Sequence, residues 1–131
     1  METTSIGNIY GGYVPKATMR IYVIKDSGGQ VLYVGRSKDA VERVRGHMGI
    51  GSYVFGGSRI GTHIVKCWPA AQAWPVELYD VHDCASIYPY PYKLNGTPLD
   101  NIIRDMHVEH AEEELIQYLQ PPYNVLGKGY D

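Results

Sequence analysis

Apolar and polar positions alternate with two different periods along this 131-residue chain. Residues 20–25 (RIYVIK) and 30–34 (QVLYV) are short runs rich in β-branched and aromatic side chains, separated by Asp26, Ser27, Gly28 and Gly29. That spells a β-hairpin. A two-residue loop at Ser27-Gly28 would set Tyr22 directly opposite Tyr33 on one face of the sheet. The period then changes. Ala40, Val41, Val44 and Met48 form a stripe at helical spacing behind a capping box of Asp39 and Glu42, and predict a helix over 39–48. Two more strands are expected at 63–67 (HIVKC) and 75–81 (PVELYDV). Thr97-Pro98 opens a long helix, with Pro at the first helical position, and Pro121 and Pro122 stop it after Leu119. Residues 1–18 read as a polar arm. The segments 46–62, with six glycines, and 86–98 (IYPYPYKLNGTPL) read as loops, and the tail YNVLGKGY as an edge strand. The predicted order is β-β-α-β-β-α. It implies a single α+β domain over 1–131, a small, mostly antiparallel sheet flanked by helices.

Composition narrows the class without choosing a function. The chain is 44% hydrophobic and 20% charged, as in soluble globular domains. No stretch approaches the ~18 apolar residues that would suggest a bilayer span, and the N-terminus lacks the pattern of a secretory signal. Cys67 and Cys84 are the only cysteines and read as reduced and structural, with the cytoplasm as the default compartment. Net charge is −2, but residues 1–66 carry +5 and residues 67–131 carry −7. The basic half offers a local surface for phosphate.

The candidate chemistry sits at the hairpin and on the last helix. Four basic side chains, Arg36, Lys38, Arg43 and Arg45, follow the two tyrosines. Arg43 and His47 are four residues apart and share a helix face. On the long helix, Val108, Leu115, Leu119, Ile116 and Glu112 fall within an arc of about 100°, while Glu113 and Glu114 point elsewhere. One carboxylate of three therefore faces the core. A buried carboxylate must be paired, metal-bound or neutral. Two readings follow: an ion pair at the rim of the core, for instance with Arg43, or a ligand for a hard divalent cation, with one carboxylate, waters and substrate phosphate.

Together these residues resemble the GIY-YIG nuclease family. Its two motifs correspond to Arg20-Ile21-Tyr22 and Tyr33-Val34-Gly35, and its helix arginine to Arg43. The histidine that some restriction enzymes of the family add corresponds to His47, and the basic residue after the second motif to Arg36. The metal-binding glutamate corresponds to Glu112 in the run Glu112-Glu113-Glu114-Leu115-Ile116, followed by Pro121, Tyr123 and Asn124. That last stretch is similar to part of the incision domain of the bacterial excision-repair nuclease. The matches span 20–126. The chain departs from the motifs at Arg20, where the family has Gly, and at Val34, where it has Ile.

The resemblance implies a Mg²⁺-dependent endonuclease, with Mn²⁺ as a substitute, acting on duplex or structured DNA. It implies Tyr22 as general base, supported by Tyr33, Arg36 and His47, with Arg43 on the scissile phosphate, Glu112 on the metal and Asn124 organising backbone. Lys38, Arg45 and Arg59 are candidate DNA contacts. The alternative is a module of the same fold that binds nucleic acid without cutting; a chance match in an unrelated interaction domain is a third reading. No membrane partner is expected; a protein partner or homodimer stays open. His107 with His110, and Cys67 with His82 and Cys84, lack standard zinc spacing. Tyr88, Tyr90 and Tyr92 could stack on bases, or pack on the domain.

Overall fold

A computed structural model describes residues 1–50, 58–88, 96 and 100–124. Among them the fold is α+β: four antiparallel strands and five α-helices. The strands are β1 (Glu2–Ser5), β2 (Ile21–Lys25), β3 (Val31–Arg36) and β4 (Pro75–Tyr79), in spatial order β1-β4-β2-β3. The helices are α1 (Ile6–Tyr10), α2 (Ala40–His47), α3 (Arg59–Lys66), α4 (Val81–Ile87) and α5 (Asp100–Leu119). β2 lies between β3 and β4 and is buried on both faces, so its run IYVIK carries no polar alternation. Tyr22, Ile24, Tyr33, Val76 and Leu78 face a core shared with α1, α2 and α3. Ile21, Val23 and Val34 face a second core under α4 and α5, with Cys84, Val108, Ala111 and Ile116.

The hairpin forms, but in a different register from the expected one. Tyr22 opposes Gly35, and Tyr33 opposes Ile24. The turn is longer than two residues. The Asp26 carboxylate accepts from the backbone N–H groups of Gly28 and Gln30 at 2.9 and 3.0 Å, and Gly29 takes a left-handed φ of 86°. An irregularity between Ile24 and Lys25 adds to the offset. The strands slide by two residues, which preserves facing. The two tyrosines are therefore diagonal neighbours on one face, with ring centroids 5.9 Å apart.

Two further expectations fail, and a third holds with an earlier end. The polar arm at 1–18 is instead β1 and α1. β1 pairs with β4, Ser5 caps α1 through the Asn8 N–H, and Ile6 and Ile9 are fully buried. The expected strand at 63–67 is helix α3. Ser58 caps it through the Gly61 N–H, and Ile60 and Ile64, one turn apart, enter the core. The expected strand at 75–81 stops at Tyr79, because Asp80 and Asp83 form a capping box that starts α4. The observed order thus differs from β-β-α-β-β-α. Helix α2 begins at its expected cap, with Asp39 accepting from the Glu42 N–H. α5 ends with Gln120 at a φ of 48°, followed by the two prolines. The expected loops now contain the start of α3 and the end of α4; their central parts and the tail beyond Asn124 lie outside the described residues. No helix among the described residues is long and apolar enough to cross a membrane.

Because Ile9 is a core residue, Ile9→Ala should lower unfolding stability by about 2–5 kcal/mol. Urea denaturation checks this. A loss below about 0.5 kcal/mol, as at a surface site, would return residues 1–18 to the status of an arm.

Candidate active site

Glycine at position 35 is what lets Tyr22 lie where it does. A Cβ at position 35 would stand 2.3 Å from the Tyr22 Cζ and 2.4 Å from its hydroxyl. The ring therefore packs directly over the backbone of edge strand β3. Tyr22 is 1% exposed, and its hydroxyl lies 2.9 Å from His47 Nε2. His47 is the last residue of α2, buried at 4% exposure, and its Nδ1 lies 2.8 Å from Ser58 Oγ. Tyr33 completes the group, its ring edge-on to His47 at 5.6 Å.

The His47 tautomer sets the direction of this chain. Ser58 Oγ accepts from the Gly61 N–H at 3.0 Å, and its own hydrogen is within reach of His47 Nδ1. With donation there, Nε2 carries the proton and His47 donates to the Tyr22 oxygen. Burial, and secondarily the positive charge of Arg43, push the His47 pKa down to about 4. The ring is neutral at pH 7, a poor proton acceptor and an adequate donor. Ser58 carries little signal in the sequence: its helix-cap spacing to Gly61 lies inside the glycine-rich stretch 46–62.

The next residue along β3 points to the opposite face. Arg36 Nε lies 3.4 Å from Glu112 Oε1, and Arg36 Nη1 lies 3.8 Å from Glu109 Oε2. The helical projection of α5 is borne out: Glu112 is 2% exposed, while Glu113 and Glu114 are exposed. Its ion-pair partner is Arg36, however, and not Arg43. Glu112 Oε2 is buried with no hydrogen-bond partner among the described residues. Burial pushes the Glu112 pKa up to about 8; Arg36 opposes the shift, and Glu113 and Glu109 add to it. A buried hard-oxygen donor with an unbonded lone pair suits Mg²⁺, which takes one or two carboxylates and completes its sphere with water and phosphate. Among the described residues no group of three or more His, Cys, Asp or Glu is arranged to hold a metal. Cys67 and Cys84 are free thiols.

Asn124 grips the outer edge of β3. Its Oδ1 accepts from the Val34 N–H at 2.9 Å and its Nδ2 donates to the Val34 carbonyl at 2.8 Å. The side chain pairs with β3 as another strand would, one residue before Gly35. Of the candidate DNA contacts, Lys38 is exposed. Arg59 donates to the Pro122 carbonyl at 3.5 Å and lies over the Tyr123 ring at 5.8 Å. Arg45 is engaged within the fold, donating to the carbonyls of Ile9 and Tyr13 at 3.1 and 2.9 Å. Tyr88 stacks on His110; Tyr90 and Tyr92 lie outside the described residues.

The sequence-predicted residues thus form two groups. Tyr22, Tyr33 and His47 meet on the α2 face, with Arg43 close enough to act on His47. Arg36 and Glu112 meet on the α5 face. The two groups lie on opposite faces of the sheet, with Gly35 and Arg36, neighbours in the chain, facing one group each. Beside Arg36 opens a cleft of about 320 Å³ whose lining includes Arg20, Arg36, Lys38 and Glu109 but not the tyrosines. A scan against protein-family models, a search of curated proteins and a search of solved structures each found no match.

The raised Glu112 pKa carries a sign. From pH 6.5 to 8 the folded, metal-free protein holds a proton that the unfolded chain has released, so stability falls as pH rises. The loss should be about 2 kcal/mol. Denaturant titrations at the two pH values check it: Glu112→Gln should remove this loss, and an equal loss in the variant would assign the dependence elsewhere.

Proposed function

We propose that this chain is a divalent-metal-dependent endonuclease that hydrolyses DNA phosphodiester bonds, as its resemblance to the GIY-YIG nucleases implies. The observation that carries the reading is the pairing of roles on adjacent residues of one edge strand. Gly35 underlies a buried phenol held by a neutral histidine, and Arg36 meets a buried carboxylate with an unbonded oxygen. A binding module would gain nothing from a buried, half-paired carboxylate, which costs stability.

Each group then has a task. With the Tyr22 proton first released to solvent, water attacks phosphorus as the bond to the leaving sugar oxygen breaks; the attacking water's proton goes to the Tyr22 phenolate, and the leaving oxygen takes a proton from solvent water. His47 Nε2–H stabilises this phenolate by hydrogen bonding, and Ser58 keeps His47 in the required tautomer. Tyr33 packs the ring of His47 in place. Arg43 binds non-bridging phosphate oxygens, where a planar fork suits two contacts. Mg²⁺ held by Glu112, with Mn²⁺ as substitute, would offset charge on the phosphate and the leaving oxygen. Arg36 steadies the Glu112 carboxylate, and Asn124 fixes the strand that carries both groups.

Plasmid cleavage in Mg²⁺, with an EDTA control, tests the proposal. Tyr22→Phe should slow cutting by about 10²–10⁴-fold and Glu112→Gln by at least about 10²-fold. Wild-type rates in Tyr22→Phe would exclude its phenol as base. Metal-independent cutting, or cutting unchanged in Glu112→Gln, would remove that residue from a metal site. DNA binding with no cutting under any metal would favour the non-cleaving module.

A further inference from the structure

The first motif departs from its family at Arg20, and that residue opens onto a feature the catalytic reading does not use. Arg20 immediately precedes β2, donates to the Ser37 carbonyl at 3.0 Å, and pairs with Asp105 of α5 at 2.8 Å. It forms a wall common to two hollows of about 320 and 310 Å³, which also share Lys38 and Asp105. The first hollow reaches Arg36 and Glu109; the second reaches Arg104 and Asn101. Together they make one trough between the start of β2, the turn after β3 and the adjoining side of α5.

The charges along the trough are unbalanced. Its cations are Arg20, Arg36, Lys38 and Arg104, and its acids are Asp105 and Glu109. Arg20 is matched by Asp105, and Arg36 by Glu109 and Glu112. Lys38 and Arg104 have no acidic partner among the described residues; Arg104 donates only to Asn101 Oδ1, at 3.4 Å. The floor therefore carries two uncompensated positive charges beside rigid, already paired ones. Thr18 and Asn101 add neutral polar groups at the far end.

The trough also has a direction. Asn101, Arg104, Asp105, Val108 and Glu109 line it in succession along one helix face, and Glu112, buried and outside the lining, follows on the next turn. Arg104 stands eight residues before Glu112, about 12 Å of helix rise. A DNA strand advances ~3.4 Å of axis per phosphate, so that distance spans on the order of three phosphates. We infer that this trough is a second, non-catalytic phosphate-binding track that holds the DNA strand beyond the scissile phosphate, with Lys38 and Arg104 as its contacts. Arg20 and Asp105 act as its fixed wall, which gives the Arg in place of the motif Gly a use.

This inference rests on the nuclease reading, and the test separates the two. Binding of a fluorescein-labelled DNA duplex is measured by anisotropy in EDTA across a range of salt, for wild type and Lys38→Ala/Arg104→Ala. Both side chains lie outside the cores, and a thermal melt confirms folding of the variant. The double variant should bind at least ten-fold more weakly at ~0.1 M salt. Its slope of log affinity against log salt should be shallower by about 1.8, the value for two lost phosphate contacts. Lys38→Arg/Arg104→Lys should keep the wild-type slope. If wild type binds and the alanine double variant matches it in affinity and slope, the track is refuted while the nuclease reading stands. If wild type itself shows no salt-dependent binding, the track is refuted, and plasmid cleavage in Mg²⁺ decides the nuclease reading separately.

Discussion

Contact between the Tyr22 ring and the backbone at Gly35 is the constraint on which the rest of the arrangement depends. Any side chain at 35 on that face would occupy the space of the phenol. The strand pairing sets Tyr22 opposite Gly35, and alternation along β3 then sends Arg36 to the other face. One close approach in an edge strand thus fixes which core receives the phenol and which receives the guanidinium. The hairpin turn serves this register. Asp26 and Gly29 lengthen the loop, and the strands slide until a residue without a side chain comes under the ring.

Two titratable groups are buried on either side of that strand, and both are driven toward their neutral forms, mainly by desolvation. The environments nevertheless differ. His47 has a polar neighbour at each ring nitrogen, Tyr22 and Ser58, so its neutral form is fully used. Glu112 has a cation at one oxygen and nothing at the other among the described residues. The first is a finished hydrogen-bond chain. The second is an incomplete site, and a desolvated carboxylate left incomplete is costly unless a cation joins it. That asymmetry distinguishes the supporting half of the proposed centre from the ligand-binding half.

Much of the candidate site was legible in the sequence, because its signals are local. The spacing of Arg43 and His47, the apolar arc containing Glu112 and the cap at Asp39 each follow from helical periodicity. What depended on tertiary context was harder. The tyrosine register hinged on a turn whose length the Asp26 carboxylate decides. Helix α3 is hidden in the sequence because Ile64 and Val65 give 63–67 a strand-like composition, while Ile60, which sets the helical spacing with Ile64, lies in a glycine-rich stretch. Strand β1 has no apolar run of its own; its place comes from pairing with β4. Arg36 as the partner of Glu112 was hidden for the same reason, since only the packing of α5 on β3 brings them together.

The central claim is that the Glu112 carboxylate and the Tyr22 phenol serve one centre across the edge of β3. The most direct measurement is a Mn²⁺ titration followed by NMR. Paramagnetic broadening should appear first at Glu112, Arg36 and Gly35, extend to the Tyr22 ring, and leave β1 sharp; Glu112→Gln should abolish it. Broadening that spares Gly35 and Tyr22, or that is the same in Glu112→Gln, would contradict the account.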